Sequence, residues 1–500
     1  MPKQQSDALL QLIKSLTKSE KRHFRIFVSR NQTSDDILFV KLFDELDKGK
    51  PLDEAQILKK IPAIKKQQLS NLKAHLYKQI LLCLRMVHRQ HNEDIDIREK
   101  IDYARVLYSK GLYTQSLDML AKAKGKALAL HQQTLALEVN EFEKLIESQY
   151  ITGSIEGRAE TLIQEATLLS SQISRAQLFS NMALQLYSLY LKVGYVRNQK
   201  DVFLIKEVFQ NLPQYKVEEL TFFERLFLYQ AYSMYYFVNQ DFLMNYKYSQ
   251  KWVDLFREYP EMIAIETPLY LKGLHNHLNS LFYLAHYERF VEYYNELVAF
   301  ENQEETTANS NVESLTILYR YIHQIRKHFM EGTFTEGVKA MPELARLIKE
   351  GTYNWDDYRE IMFYYKIACM YFGSGDMGNT IDYLNKIINL RNPNFREDIQ
   401  CFARVLNLIA HFELGNHQLL EYQVKSVYRF LLKMENMHEV QKQIIVFIRR
   451  IPFMLPNQLK KEFILLRNNL VRVSEMPYEK RAFLYLDIIS WLESKIQGKT

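Results

Sequence analysis

These 500 residues predict an all-α fold: a right-handed α-solenoid of stacked antiparallel helix pairs behind an N-terminal helical domain. Three observations carry that reading. Apolar residues recur at three- and four-residue spacing almost throughout, and no Val/Ile/Thr alternation of the strand type is sustained. Fifteen glycines and eleven prolines are about half the usual share, too few for the many tight turns of a sheet protein. Finally, one turn signature recurs at a period of 40 to 47 residues, in SKGLYTQSL (109–117), VNQDFLMNY (238–246), LAHYERFVEYY (284–294), MEGTFTEGV (330–338) and GSGDMGNTI (373–381). The large residue just after each turn is Tyr113, Phe242, Tyr287, Phe334 or Met377. The last four are 45, 47 and 43 residues apart, and the gap from 113 to 242 is 129, three periods of 43. Self-similarity at such a period marks supersecondary units that bury their apolar faces on one another.

Residues 1–92 separate from the rest by charge. They hold 18 Lys and Arg against 9 Asp and Glu, while residues 93–500 hold 47 against 50. Within this unit Thr17-Lys18-Ser19-Glu20 has the spacing of a capping box, in which Thr17 and Glu20 satisfy each other's backbone N–H groups. Ser34-Asp35 and Asp53 are placed to cap the next two helices. A long helix from about Ala63 to Gln90 carries Leu69, Leu72, Leu76, Ile80, Cys83 and Val87 on one face. Asn92 and the acidic stretch Glu93–Asp96 end the unit.

Helical pairs are expected over 93–433. The segment 100–127 has Ala104, Leu107, Gly111, Tyr113, Ser116, Leu120 and Ala123 at the positions where paired helices need small residues, a turn glycine and seam-filling side chains. The segment 364–393 repeats the pattern with Ala368, Tyr371, Gly375, Met377, Thr380, Leu384, Ile387 and Pro393. Ala285, Gln240 and Gly415 stand at the corresponding turns before Tyr287, Phe242 and His417, and the stretch 150–200 is hard to phase. Glu301–Val312 is a polar loop, and helices after Met434, ending near Pro452, Pro456 and Pro477, read as a C-terminal cap over 434–500.

This spacing of small, glycine and aromatic residues resembles the tetratricopeptide-repeat (TPR) family, with a period longer than its usual ~34 residues. The resemblance covers about 98–433. It implies a peptide or helical segment held on the concave face built by the first helix of each pair, and hence a protein–protein interaction scaffold. Transferred onto the matching first helices, the family's groove positions are Arg105, Tyr108, Gln230, Met234, Lys272, His275, Asn279, Phe282, Ile322, Arg326, Phe329 and Tyr365. Lys272 and Asn279 are similar to part of the clamp with which some members hold peptide C-termini, whereas His275 departs from it.

Catalytic motifs are not found. Gly373-Ser374-Gly375-Asp376-Met377-Gly378 is a literal GxGxxG, but a helical pattern precedes it and no second strand candidate exists, so it reads as one more inter-helix turn. His275, His277 and His286 do not share a helix face. His88 and His91 do, and a solvated surface explains them better than a metal. No HExxH, P-loop or nucleophile elbow occurs. The expectation is no enzyme, no cofactor and no metal. Cys83, Cys369 and Cys401 form no CxxC pair, which points to a reducing compartment. There is no 18-residue apolar run, and the opening residues lack a cleavage-site pattern. A cytoplasmic protein that does not enter membranes is expected.

A second reading starts from the basic unit. Between Lys59 and His91 there are eight basic residues and no acidic one. Asp53–Lys60, a turn at Ile61-Pro62 and the helix from Ala63 have the order of a helix-turn-helix. That layout ahead of TPR-like repeats is similar to several bacterial transcriptional regulators. Lys59, Lys60, Lys65, Lys66 and Lys73 would then meet phosphates of nucleic acid, with Gln67, Gln68 or Asn71 toward base edges. The turn lacks the usual glycine and no wing strands follow.

Overall fold

The computed structural model describes residues 8–29, 34–48, 54–89, 92–149, 157–196, 198–210, 212, 214–303, 309–390, 397–433, 438–450, 456–476 and 478–498. Among these every regular element is helical and none is a strand. The expected cap at Asp53, the prolines Pro393, Pro452 and Pro477, His91 and the middle of the polar loop (304–308) lie outside the described residues.

The chain divides into two compact units. The first comprises Met1–Arg175 with Glu261–Glu266 and Ala308–Ser310, and the second takes in the rest. In the first unit, α1 (Ala8–Ser15), α2 (Lys18–Ser29), α3 (Ser34–Asp47), α4 (Glu54–Lys60) and α5 (Lys66–His88) surround Leu9, Phe24, Phe43, Ile57, Leu76 and Cys83. The Thr17–Glu20 box forms as expected, with Thr17 N–H donating to Glu20 at 2.7 Å and Glu20 N–H to Thr17 Oγ1 at 3.2 Å. Next come α6 (Glu93–Ser109), α7 (Tyr113–Ala129) and α8 (Gln133–Gln149), with α7 packed on α6 and α8 on α7 around Ile101, Ala104, Leu120, Ala123 and Val139. Asn92, read from the sequence as an end, instead caps α6: its side chain accepts from Ile95 N–H at 3.1 Å, with Glu93, Asp94 and Asp96 at the positive end of the helix dipole.

Helix α9 (Arg158–Val193) runs for 36 residues without a break. The stretch that the repeat spacing leaves hard to phase is thus largely one helix, which no glycine or proline interrupts.

The second unit continues with α10 (Gln199–Glu207), α11 (Phe222–Val238), α12 (Phe242–Glu258), α14 (Thr267–Tyr283) and α15 (Tyr287–Ala299); the short α13 (Glu261–Ile265) belongs to the first unit. It then adds α16 (Ser310–Glu331), α17 (Phe334–Gly337), α18 (Met341–Glu350), α19 (Asp357–Gly373), α20 (Met377–Ile388), α21 (Glu397–Glu413) and α22 (His417–Lys433). The last helices are α23 (Glu439–Arg450), α24 (Pro456–Ser474), α25 (Lys480–Tyr485) and α26 (Ile488–Gln497). Within the runs α11–α12–α14–α15 and α19–α20–α21–α22, each helix packs on the next. Tyr478 packs at long range, against the cluster of Phe179, Leu220 and Val238, 240 to 299 residues earlier.

Seven of the joints between the described helices share one geometry. Gly111, His131, Gln240, Ala285, Gly332, Gly375 and Gly415 all have φ between 55° and 84°, and each stands two residues before a helix begins. In every case the next residue's N–H donates to a carbonyl five positions back, as in Leu112 to Leu107, Asp241 to Tyr236 and Asp376 to Tyr371, at 2.7–3.1 Å. This is the Schellman end, which uses a left-handed residue to satisfy orphan carbonyls of the last helical turn. Gly373–Gly378 is one of these joints, with α19 before it and α20 after it.

Close approach has its own residues. An added Cβ on Gly373 would sit 2.4 Å from the Phe334 ring, and one on Gly273 would sit 3.0 Å from Trp252.

Candidate functional site

Helix α14 puts Lys272, His275, Asn279 and Phe282 on one face, because steps of three and four residues return to the same side of a helix. In α16, Tyr319, His323 and Arg326 are spaced in the same way. The two faces meet in a chain of hydrogen bonds. Arg326 Nη1 donates to Asn279 Oδ1. That fixes the amide, whose nitrogen lies 3.2 Å from His275 Nε2. With Nε2 accepting, the His275 proton sits on Nδ1, 2.9 Å from His323 Nε2. The last proton in the chain falls on His323 Nδ1, a buried atom with no hydrogen-bond partner among the described residues.

The electrostatics have one sign. Burial first, then Arg326, Lys272, Lys366 and Arg359, holds His275 well below the ordinary imidazole range. Burial, His275, Arg326 and Lys366 do the same to His323. Both rings are therefore neutral at pH 7. Lys272 is exposed to solvent, and desolvation by the surrounding protein lowers its ammonium pKa. Neither Lys272 nor Arg326 forms an ion pair among the described residues, while Arg359 pairs with Asp356 at 3.5 Å. Aromatic faces supply part of the balance: Arg326 lies 4.9 Å from the Phe282 ring and 5.5 Å from Tyr283, and His275 stacks on Tyr319 at 4.2 Å.

His277, one step round α14, belongs to a different environment. Its Nδ1 is 3.1 Å from Ser249 Oγ on α12 and its ring packs on Tyr293, and burial drives its pKa down to about 3.

The remaining sequence-predicted positions are more dispersed. Arg105 and Tyr108 lie in the first unit and the other ten in the second. Arg105 is exposed and pairs with Glu138 at 2.8 Å, and Tyr108 packs between Tyr113 and Phe142. Gln230 and Met234 are half-buried on α11, beside a stack in which Tyr232 and Tyr248 lie 4.6 Å apart. Ile322 is a core residue of α16, and Phe329 packs on Phe334 at 5.6 Å. Tyr365 is buried and its hydroxyl donates to the Tyr485 carbonyl at 3.0 Å. The structure thus gathers His275, Asn279, Phe282 and Arg326 into one cluster, with Lys272 on the same face of α14. Sequence reasoning missed Tyr319 and His323 there. The signal was available, since Asn279 and Arg326 are 47 residues apart, the period between Tyr287 and Phe334.

Among the basic residues of the first unit, Lys59, Lys65 and Lys66 are exposed, Lys60 pairs with Glu45 at 3.0 Å, and Lys73 is half-buried. Gln67, Gln68 and Asn71 are exposed on the first turns of α5. The helix begins at Lys66 rather than Ala63 because Ile61 and Ile64 turn inward to the core first.

No group of three or more His, Cys, Asp or Glu able to hold a metal occurs among the described residues, and no helix there is long and apolar enough to cross a membrane. Comparison with family models, curated proteins and solved structures gives no match for this chain.

Proposed function

We propose that this protein is a cytoplasmic interaction scaffold, a TPR-like solenoid that holds a peptide or helical segment of another protein on the face bearing Lys272, His275, Asn279 and Arg326. Recurrent Schellman joints support the repeat reading, since each ends one helix and starts the next in the same way. The observation that carries the binding reading is an exposed apolar stripe on α9. Leu184, Tyr187 and Leu191 share one face of α9 and are 67%, 47% and 49% exposed. Burial, and in smaller part Tyr187, raises the Tyr319 pKa. An exposed apolar stripe is a usual mark of a partner-binding face. The test is affinity capture from a cell extract with the intact protein and with Leu184→Glu and Leu191→Glu, both at exposed positions. A partner retained by the parent and lost with both variants is expected. Equal capture by all three would overturn the reading.

The second reading, a transcriptional regulator, is favoured by Lys59, Lys65 and Lys66, which are exposed around the start of α5 and have no ion pair among the described residues. Duplex DNA would bind there with a steep salt dependence. Absence of any gel retardation at low salt eliminates it.

A further inference from the structure

A short stretch of the chain meets two of the positions that the interaction reading gives to a partner. Residues 478–486 comprise Tyr478, Glu479, the six-residue α25 and Leu486. Tyr478 packs against the same buried cluster as Met234 of α11. The Tyr485 carbonyl accepts from the Tyr365 hydroxyl of α19 at 3.0 Å. The Tyr485 hydroxyl donates to Asp398 at 2.5 Å, and its ring stacks on Phe402 of α21 at 4.9 Å. Between these anchors, the Glu479 carboxylate accepts from the Glu439 N–H at the start of α23, at 3.1 Å. Met234 and Tyr365 are both groove positions implied by the repeat resemblance. The chain's own segment bonds to one and shares the packing cluster of the other.

Three features mark this stretch as separable from the helices on either side. Helices α24 and α26, which flank it in sequence, pack on each other, and Trp491 of α26 donates to Glu413 at 2.7 Å. The stretch can therefore leave without parting its neighbours. Helix α25 has six residues, far below the length at which a helix is stable unaided, so it exists because it is docked. Tyr478 has a φ of 70°, a left-handed backbone that costs a bulky residue on the order of 1 kcal/mol or more. At the Schellman joints that conformation satisfies a carbonyl five positions back. Here the following N–H, of Glu479, reaches only the Met476 carbonyl at 3.3 Å, so the contacts of the segment hold the strain in place.

We propose that residues 478–486 are a strap that occupies part of the partner face in cis, and that a partner docks by displacing it; this rests on the interaction reading above. The displacing segment has the strap's own chemistry: a short helix ending in a tyrosine, with a second aromatic residue seven positions before it. Ala482 and Leu486 are buried beneath the strap, so the incoming segment also carries a small residue and an apolar residue at those points.

Fluorescence anisotropy of a labelled peptide covering residues 476–487 tests this, against the full chain and against a Tyr478→Ala, Tyr485→Ala double variant checked for folding by circular dichroism. The peptide should bind the double variant about tenfold or more tightly than the parent, because the parent offers its site only in the minor fraction of molecules with an open strap. Equal affinity for the two chains, or binding to neither, overturns the strap. Native-state hydrogen exchange of the parent needs no variant. Amides of α25 should exchange faster than those of α19 and α21, and exchange only together with those helices overturns the strap as well. If Leu184→Glu and Leu191→Glu abolish partner capture while the peptide binds neither chain, the strap fails and the scaffold reading stands. If the peptide prefers the double variant but no partner depends on α9, the scaffold reading fails instead.

Discussion

The Asn245 side-chain nitrogen lies 2.7 Å from the Ser233 carbonyl oxygen, reaching from the second helix of a pair to a residue twelve positions earlier in the first. Ser116 makes the same twelve-residue reach to the Ala104 carbonyl at 2.8 Å, and Thr380 to Ala368 at 3.5 Å. A small polar residue at this point lets two helices meet closely while giving the carbonyl a second partner. Asn245→Ala should therefore destabilise the second unit by about 1–3 kcal/mol, and Ser116→Ala the first by about 1 kcal/mol. Urea denaturation reads both, and unchanged midpoints would mean that these bonds only accompany the packing.

Gly373 and Phe334 show the opposite requirement, a position where nothing can be added. With a new Cβ only 2.4 Å from the ring, Gly373→Ala should cost about 1–3 kcal/mol through overpacking. Phe334→Leu in the same chain should recover part of that loss, giving a coupling energy in a double-mutant cycle. Strictly additive effects would show that the backbone, not the ring, feels the methyl group.

Acid should destabilise the protein through its buried histidines. Burial, followed by Arg257 and Arg289, lowers His277 from 6.5 to about 3, so the folded state refuses a proton that the unfolded chain accepts. Stability from this group is complete above about pH 6.5 and falls as pH drops toward 3, by about 1.4 kcal/mol per unit within that window. His275 and His323 act in the same direction. Replacing His277 with Gln should flatten the pH dependence of stability between about pH 4 and pH 6 by that slope, measured by denaturant titration at each pH. An unaltered slope would place the ring in contact with water.

Lys124 is the centre of an ion network in the first unit. Its ammonium contacts Glu143 and lies 2.6 Å from Glu165, while Arg158 reaches the other oxygen of Glu143 at 3.0 Å. Glu143 is only 2% exposed, so Lys124→Met leaves a buried carboxylate short of a partner and should cost about 3–5 kcal/mol. Adding Glu143→Gln should restore much of the loss. If the single variant is as stable as the parent, Arg158 alone satisfies the carboxylate.

The joints were legible in the sequence because a left-handed residue nearly demands glycine, and a large side chain follows two positions later. That rule located Gly111, Gly375 and Gly415, and by spacing also Gln240 and Ala285. It missed the joint at His131, where neither a glycine nor an aromatic residue marks the turn. It also missed α9, since nothing local tells a 36-residue helix from two shorter ones whose joint lacks glycine. In the His275–Asn279–Arg326 cluster, the repeat spacing places α14 in register. On α16, however, the transferred groove register points to Ile322, whereas the adjacent His323 bonds His275, and one residue of register turns a side chain about 100° round the helix. Burial of Arg326 and the neutral state of both histidines depend on three helices together, so no single segment displays them.

Tyr478 closes a long loop on Phe179, Leu220 and Val238. Most pairings in the second unit are local in sequence, and local pairings form quickly. Bringing together ends some hundreds of residues apart costs only about 0.6 kcal/mol more for each doubling of the loop, so this seal is affordable but late. The neighbouring helix pairs should therefore assemble first, and the C-terminal segment should dock last. Cutting the chain before Tyr478 would then leave native-like pairs whose outermost members exchange their amide hydrogens freely.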